Sequence, residues 1–493
     1  MTVTTPKAEA QSSTGFRKTV AGDSSMKAKQ VLARWMVVLL LWGGSAYAGE
    51  PAQNLASRQA RPSPDWLTRG VMYQVWLRGF TPEGTLRAAT KRLPSVAELG
   101  ANIIYLCPVQ LQDADMRREF WSTRQKASGT NNPRNPYRIK DYNRVDPEYG
   151  SESDLRAFIA TAHKLGMRVL MDLVYFHCGP TSVLIKHPEF FKRDASGKIS
   201  TGEWNFPVLN FDNRQLREHL WANMEHWVKD FDADGFRCDV ADAVPLDFWE
   251  EARARLEPLR PDLVILAEGE RYANVLKAFD INYGFSWYGA TFAVFSRGEP
   301  ASSLRARWEK QHADGPRGIK FLRFTENHDW VNDMRHAEVV CGEHGANAMS
   351  VINFTLDGVP LLYNGQEIGD TSAQSIYARW AVRWEAACLP KAKKEFAFHQ
   401  KLCQLRRTEP ALTGGEVVWL DNDQPGAVLS FLRRAGGGEI ITVANLSNRK
   451  IKAHVGLSGK FNALVSDRAR IVPVQGKLAL ELEAFGFFVG KKP

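Results

Sequence analysis

Cysteine is scarce. The 493 residues hold six, at Cys107, Cys178, Cys238, Cys341, Cys388 and Cys403, and none forms a CxxC pair. That spacing excludes a CxxC-based zinc or redox site and a dense disulfide framework. Histidines in an HExxH arrangement are also missing, so a zincin-type metal centre is excluded. Charge of one sign is not in large excess: 64 Lys and Arg stand against 55 Asp and Glu, for a formal net charge of +9. Of that, +4 belongs to residues 1–48, where Lys7, Arg17, Lys18, Lys27, Lys29 and Arg34 face only Glu9 and Asp23. No basic run is interleaved with aromatics, so nucleic-acid binding is not expected. No internal repeat is present, which excludes a solenoid.

Long apolar runs are missing too. The unbroken stretch Trp35–Trp42 is too short to cross a bilayer, which takes about 20 residues, so no permanent membrane anchor is expected. Its setting reads instead as an export signal. Lys27, Lys29 and Arg34 lead into it, and Ala46-Tyr47-Ala48 offers a cleavage site. The expectation is translation from Met26, a mature chain beginning near Gly49, and a secreted or periplasmic protein. Residues 1–48 are then an extension plus signal peptide, and residues 49–65 a linker.

What remains is large and apolar enough to fold. Hydrophobic residues make up 44% of the chain and charged residues 24%, room for one barrel of about 250 residues or more plus a smaller domain. Strand-like and helix-like stretches alternate. Strands are expected at Val71–Trp76, Asn102–Leu106, Arg168–Val174, Gly235–Asp239, Leu263–Glu268, Phe279–Tyr283, Ile319–Phe324 and Val359–Tyr363. Helices are expected from Thr85 to Leu99, from Ser151 to about Gly166, and from Asn213 to Phe231, the second opened by a Ser151/Asp154 capping box. Residues 107–149 read as a long irregular loop and residues 177–212 as a short excursion after the third strand. From about Pro410 the texture turns to short alternating runs. The expected fold class is α/β: a (β/α)8 TIM barrel over residues 66–408 with a C-terminal β-sandwich-like, all-β domain over residues 409–493.

Chemistry concentrates at strand ends. The stretches are DLVYFH (Asp172–His177), GFRCD (Gly235–Asp239), ILAEGE (Ile265–Glu270) and FTENHD (Phe324–Asp329). A barrel gathers strand ends around one mouth, so Asp239, Glu268 and Asp329 should meet. Retaining glycoside cleavage needs such a set: one carboxylate attacks the sugar, and another, protonated, serves the leaving oxygen. Arg237 and Asp239 share a face, and the guanidinium should keep the carboxylate ionised. Glu268 ends an apolar strand, where burial should raise its pKa toward that of a general acid. Gly269 behind it permits a close backbone approach.

The order of these motifs, after strands three, four, five and seven, resembles the α-amylase family of glycoside hydrolases. So do YRIKDYNRVDPEYG, FPVLNFDN and GVPLLYNGQEIG. The resemblance runs from about Gly70 to the C-terminus. It implies Asp239 as nucleophile, Glu268 as acid/base and Asp329 as transition-state stabiliser. It also implies that Arg237, His177 and His328 bind the reacting sugar, that Tyr137 stacks on it, and that Asp172 is a structural member of the site. The implied substrate is an α-glucan or maltooligosaccharide. The same scaffold also admits a transglycosylase or an α-glucosidase, and a non-catalytic glycan-binding barrel is the rival class. Two places depart from the family pattern. A calcium-binding Asn is replaced by Phe176, whose ring has no oxygen to offer, so no metal or other cofactor is expected. The Lys-His pair that often follows the nucleophile is Asp242-Ala243, which alters the acceptor side.

Overall fold

Alternating side chains build the centre of the molecule. The computed structural model describes residues 55–333, 335–474 and 476–493, so the expected export signal and residues 49–54 of the expected linker lie outside the described residues. The barrel strands are β1 (Met72–Val75), β2 (Ile103–Leu106), β3 (Arg168–Leu173), β4 (Gly235–Cys238), β5 (Val264–Ala267), β6 (Ile281–Tyr283), β7 (Phe321–Phe324) and β8 (Val359–Tyr363). All pair in parallel and close in the circular order β1-β8-β7-β6-β5-β4-β3-β2. Inward positions such as Met72, Ile103, Leu170, Val264, Ile281, Leu322 and Leu361 fill the barrel lumen. Their neighbours along the strands, among them Tyr73, Ile104, Phe236 and Ile265, pack against the surrounding helices in a second core. Gly235 opens β4 because a Cβ there would meet the Val264 carbonyl oxygen at 1.9 Å.

The helices start where capping chemistry allows. Thr85 caps α1 (Leu86–Leu99) by accepting from the Ala88 amide. Ser151 and Asp154 form the capping box of α3 (Glu152–Lys164), and Asn213 caps α4 (Arg214–Phe231). The segment 107–149 is more ordered than expected. Gln110–Gln112 pairs with Ile139–Val145, and between them lies a one-turn helix, α2 (Thr123–Ala127), capped by Ser122. Too short for any periodicity, α2 leaves no sequence pattern. Two further helices flank the last strands: α5 (His328–Asp333) follows β7, and α6 (Ala337–Thr355) runs to β8, broken by the non-helical Gly342.

The C-terminal β region starts a few residues later than expected. Pro410–Gly414 is a short helix, since Pro410 suits the first helical turn, and strands begin at Glu416. They form one connected six-stranded antiparallel sheet, whose last strand, Leu478–Lys491, pairs with three others. Leu429, Phe431, Phe487 and Val489 on this sheet merge with the helical shell of the barrel.

Candidate active site

One guanidinium organises the mouth of the barrel. Asp172 of β3 and Arg237 of β4 are direct partners in register, so their side chains rise side by side into the lumen. Arg237 Nη1 donates to Asp172 Oδ1 and to Asp239 Oδ1, each at 2.7 Å, while Nη2 lies 2.8 Å from Glu268 Oε1. The Val240 amide, next along from Asp239, donates to Glu268 Oε2 at 2.7 Å. The two carboxylates expected to do chemistry therefore stand on neighbouring nitrogens of one group. Tyr105, Tyr137 and Tyr283 surround the guanidinium at 5.8, 5.9 and 5.7 Å. Arg237 was expected to bind the sugar. In the structure it is fully buried, and both of its terminal nitrogens are held by carboxylates.

Asp329, on the first turn of α5, reaches the same mouth from β7. Its Oδ1 accepts from Arg124 Nη1 at 2.6 Å, and its Oδ2 lies 3.3 Å from His328 Nε2. Arg124 sits on α2 and also pairs with Asp333. No sequence motif pointed to Arg124. The tautomer of His328 follows from its partners. The His328 amide donates to Gln74 Oε1, so the Gln74 amide nitrogen faces Nδ1 at 2.7 Å and Nδ1 accepts. The proton of the neutral ring is then on Nε2, 2.5 Å from the Tyr137 hydroxyl, which in turn donates to Asp172 Oδ2 at 3.2 Å. The rings of Trp76, His328 and Tyr137 lie nearly parallel in a triangle, with centroids 5.3 Å (Trp76–His328), 5.6 Å (His328–Tyr137) and 6.3 Å (Trp76–Tyr137) apart. His177 lies one layer away. Its Nε2 donates to the Tyr137 carbonyl at 2.9 Å, its ring packs on Phe206, and its buried Nδ1 has no partner among the described residues.

The ionisation pattern separates the three acids. Burial raises Glu268 to about 8, with Asp239 and Asp329 adding to the rise against the pull of Arg237. Burial likewise raises Asp239 to about 7 and Asp172 to about 6, each against the pull of Arg237. Arg237, expected to keep Asp239 ionised, does pull its pKa down, and burial and the neighbouring acids oppose that pull. Burial also opposes the charge of Asp329, yet His328, Arg124 and Arg237 together hold it well below the usual range. Burial lowers both His177 and His328 to about 4, so both rings are neutral at neutral pH.

Asp242 has a role that its sequence position did not suggest. Its carboxylate accepts from the Glu270 amide at 2.8 Å, the Arg271 amide at 3.0 Å and the Asn274 side chain at 2.8 Å. It thereby pins the backbone just beyond Glu268. A Cβ on Gly269 would stand 2.4 Å from Asp242, so the close approach read from that glycine is made by this carboxylate.

At the position where the family pattern has a calcium-binding Asn, the side chain is apolar. Phe176 presents a ring packed edge-on to Trp204 and His177. In the loop after β2, the carbonyls of Asp113, Asp115 and Phe120 and the Asp113 carboxylate converge on the buried Arg138 guanidinium, a cation of the chain's own.

Comparison with known proteins adds to this geometry. The model of the alpha amylase catalytic domain matches residues 46–197 and 199–407. The chain is 26% identical over 460 residues to alpha-amylase MalA of Haloarcula japonica, a match covering 88% of this chain and 64% of that protein, so the chain spans just under two thirds of that relative's length. A cyclomaltodextrinase of a Bacillus species is 25% identical, over 78% of this chain and 73% of its own. Among solved structures, a noncanonic maltogenic alpha-amylase, AmyB of Thermotoga neapolitana, superposes with a TM-score of 0.75 at 26% identity, covering 87% of this chain and 99% of that one. An alpha-amylase from Lactobacillus plantarum gives a TM-score of 0.72 at 26% identity, covering 86% of this chain and 99% of its own.

Proposed function

The chain belongs to the α-amylase family of glycoside hydrolases, and from that membership we propose that it hydrolyses α-linked glucans or maltooligosaccharides with retention at the anomeric carbon. The observation that carries this reading is the single Arg237 guanidinium shared by Asp239 and Glu268. In retaining enzymes the two working carboxyls stand about 5–5.5 Å apart, near enough for one to bond the sugar while the other serves the leaving group. Asp239 attacks C1; the bond from C1 to the bridging oxygen breaks, and Glu268 gives that oxygen its proton. Glu268 then takes a proton from water, whose oxygen bonds C1 and frees Asp239. Asp329, held ionised, faces the positive charge that develops on the ring. The unpartnered Nδ1 of His177 is an acceptor for a sugar hydroxyl.

The test is the stereochemistry of the first product. Proton NMR of early hydrolysis of a maltooligosaccharide should show the α-anomer before mutarotation, and Asp239→Asn should cut turnover by about 10⁴-fold or more in a folded protein. Initial release of the β-anomer would overturn the retaining assignment. The chain is also proposed to act after export, with cleavage following Ala48, because a basic lead, an apolar run and an A-x-A site occur in order. N-terminal sequencing of the protein from its native cell should find Gly49 at or near the start. An intact 26–48 segment on that protein would refute the proposal.

A further inference from the structure

We propose that this chain attacks α-glucans only at their non-reducing ends, because one side of its mouth is walled off by Arg124 and the loops tied to it. The inference rests on the assignment of Asp239 and Glu268 just made. That assignment gives the substrate a direction. Glu268 must face the leaving group, so the leaving sugars run out past the end of β5. Whatever precedes the reacting sugar must then run out on the opposite arc, past Asp329 toward β8, β1 and β2.

That arc is closed. Arg124, from the loop after β2, bridges Asp329 and Asp333 of α5, after β7. Asn332 Oδ1 accepts from the Ile376 amide at 3.0 Å, joining α5 to the loop after β8. Asn132 donates to the Tyr377 carbonyl at 2.9 Å, and Ser122 Oγ lies 3.4 Å from the Tyr377 hydroxyl, joining the loops after β2 and β8. Arg78, just past β1, donates to the Ile376 carbonyl at 2.8 Å and to the Arg134 carbonyl at 3.3 Å. The loops of β7, β8, β1 and β2 are contiguous around the barrel, and these bonds turn them into a continuous wall. Ser122 and Tyr377 are buried within it, whereas the Arg124 side chain keeps 29% of its surface and lies on the catalytic Asp329. A second sugar on this side would need the place that Arg124 occupies, at the cost of breaking a two-carboxylate ion bridge. The proposal therefore admits one terminal glucosyl unit on this side and no internal one.

The experiment compares three substrates of similar length on the full chain: linear maltoheptaose, cyclomaltoheptaose, which has no end, and a p-nitrophenyl maltoheptaoside whose non-reducing end is capped by an ethylidene group. Linear maltoheptaose should be shortened with glucose as the first product. The ring and the capped chain should turn over about 100-fold more slowly, the order of discrimination that one steric contact provides. Arg124→Ala should raise the ratio of ring to linear turnover at least about tenfold. The readout is this ratio, because Arg124 also steadies Asp329 and its loss lowers every rate. If Arg124→Ala does not fold, Asp333→Asn loosens the same bridge and should move the ratio the same way. Ring and linear substrates cleaved at similar rates by the unaltered protein would overturn this inference while leaving the α-glucan assignment intact. Folded protein inert on linear maltoheptaose would overturn both. An unchanged ratio in both variants would show that Arg124 does not build the wall.

Discussion

Arg237 brings one positive charge to three buried carboxylates, Asp172, Asp239 and Glu268. At neutral pH the cluster therefore keeps a proton that free carboxylates would lose. Burial raises both Glu268 and Asp239, and the reaction proposed above puts that proton on Glu268, where a general acid needs it. The groups titrate together, so the rate profile reports the cluster. The profile of kcat/KM against pH should be a narrow bell, falling on the acid side as Asp239 gains a proton and on the alkaline side as Glu268 loses one. Stability should follow with a definite sign. Glu268 is raised in the folded protein, so its contribution is full below its unfolded value near 4.5 and is lost as pH rises toward about 8. Glu268→Gln cannot titrate there. Its Tm should gain on that of the unaltered protein from about pH 5 to pH 8, and a constant difference across that window would contradict the assigned shift. Asp239, Glu268 and Asp329 stood out in the sequence because each follows an apolar strand. Arg124 and Gln74 were not, since neither sits in a pattern that marks it and both act through partners more than 200 residues away.

At the scale of elements, the loop after β2 carries more of the site than its composition suggests. It supplies Tyr137 and Arg124 directly and is anchored from within by Arg138, which is buried against three carbonyls and Asp113. A buried guanidinium meeting fixed acceptors does for this loop what a bound cation would do. Two outcomes are expected. Excess calcium or a chelator should leave both Tm and activity unchanged, because a ligand that binds only the native state would otherwise shift the midpoint. Arg138→Met should lower stability by about 3 kcal/mol or more, with a matching fall in the denaturation midpoint, as the Asp113 charge and the carbonyls lose their partner. A large calcium-reversible loss of Tm on chelation would contradict this account.

Across the whole molecule, the barrel and the terminal sheet are joined through a polar knot under an apolar seam. Asp357, just before β8, accepts from Trp308 and Arg323, each at 2.9 Å, and pairs with His312 at 2.7 Å. Arg433 of the sheet donates to the Thr355 carbonyl at 2.9 Å close by. Burial opposes the charge of Asp357, but Arg323, His312 and Arg433 hold it well below the usual range. Asp357→Asn should therefore cost about 3–5 kcal/mol, because it strands buried Arg323 and Arg433 without a counter-charge. Urea unfolding checks this: the midpoint should fall. A midpoint within error of the unaltered protein's would show that the knot contributes nothing.

The sequence alone determined the alternation that makes the barrel, the strand ends that carry its acids, and the family those motifs resemble. Each of these is local. Alternation with period two sorts a strand's faces, and a carboxylate after an apolar run marks a strand's mouth. Only the tertiary structure decided that Arg237 serves three acids at once, that burial opposes it at Asp239, that Asp242 turns to the backbone beyond Glu268, and that Arg124 bridges Asp329 and Asp333. These depend on distances between segments far apart in the chain and on how much water the fold excludes between them, and neither is written in the order of the residues.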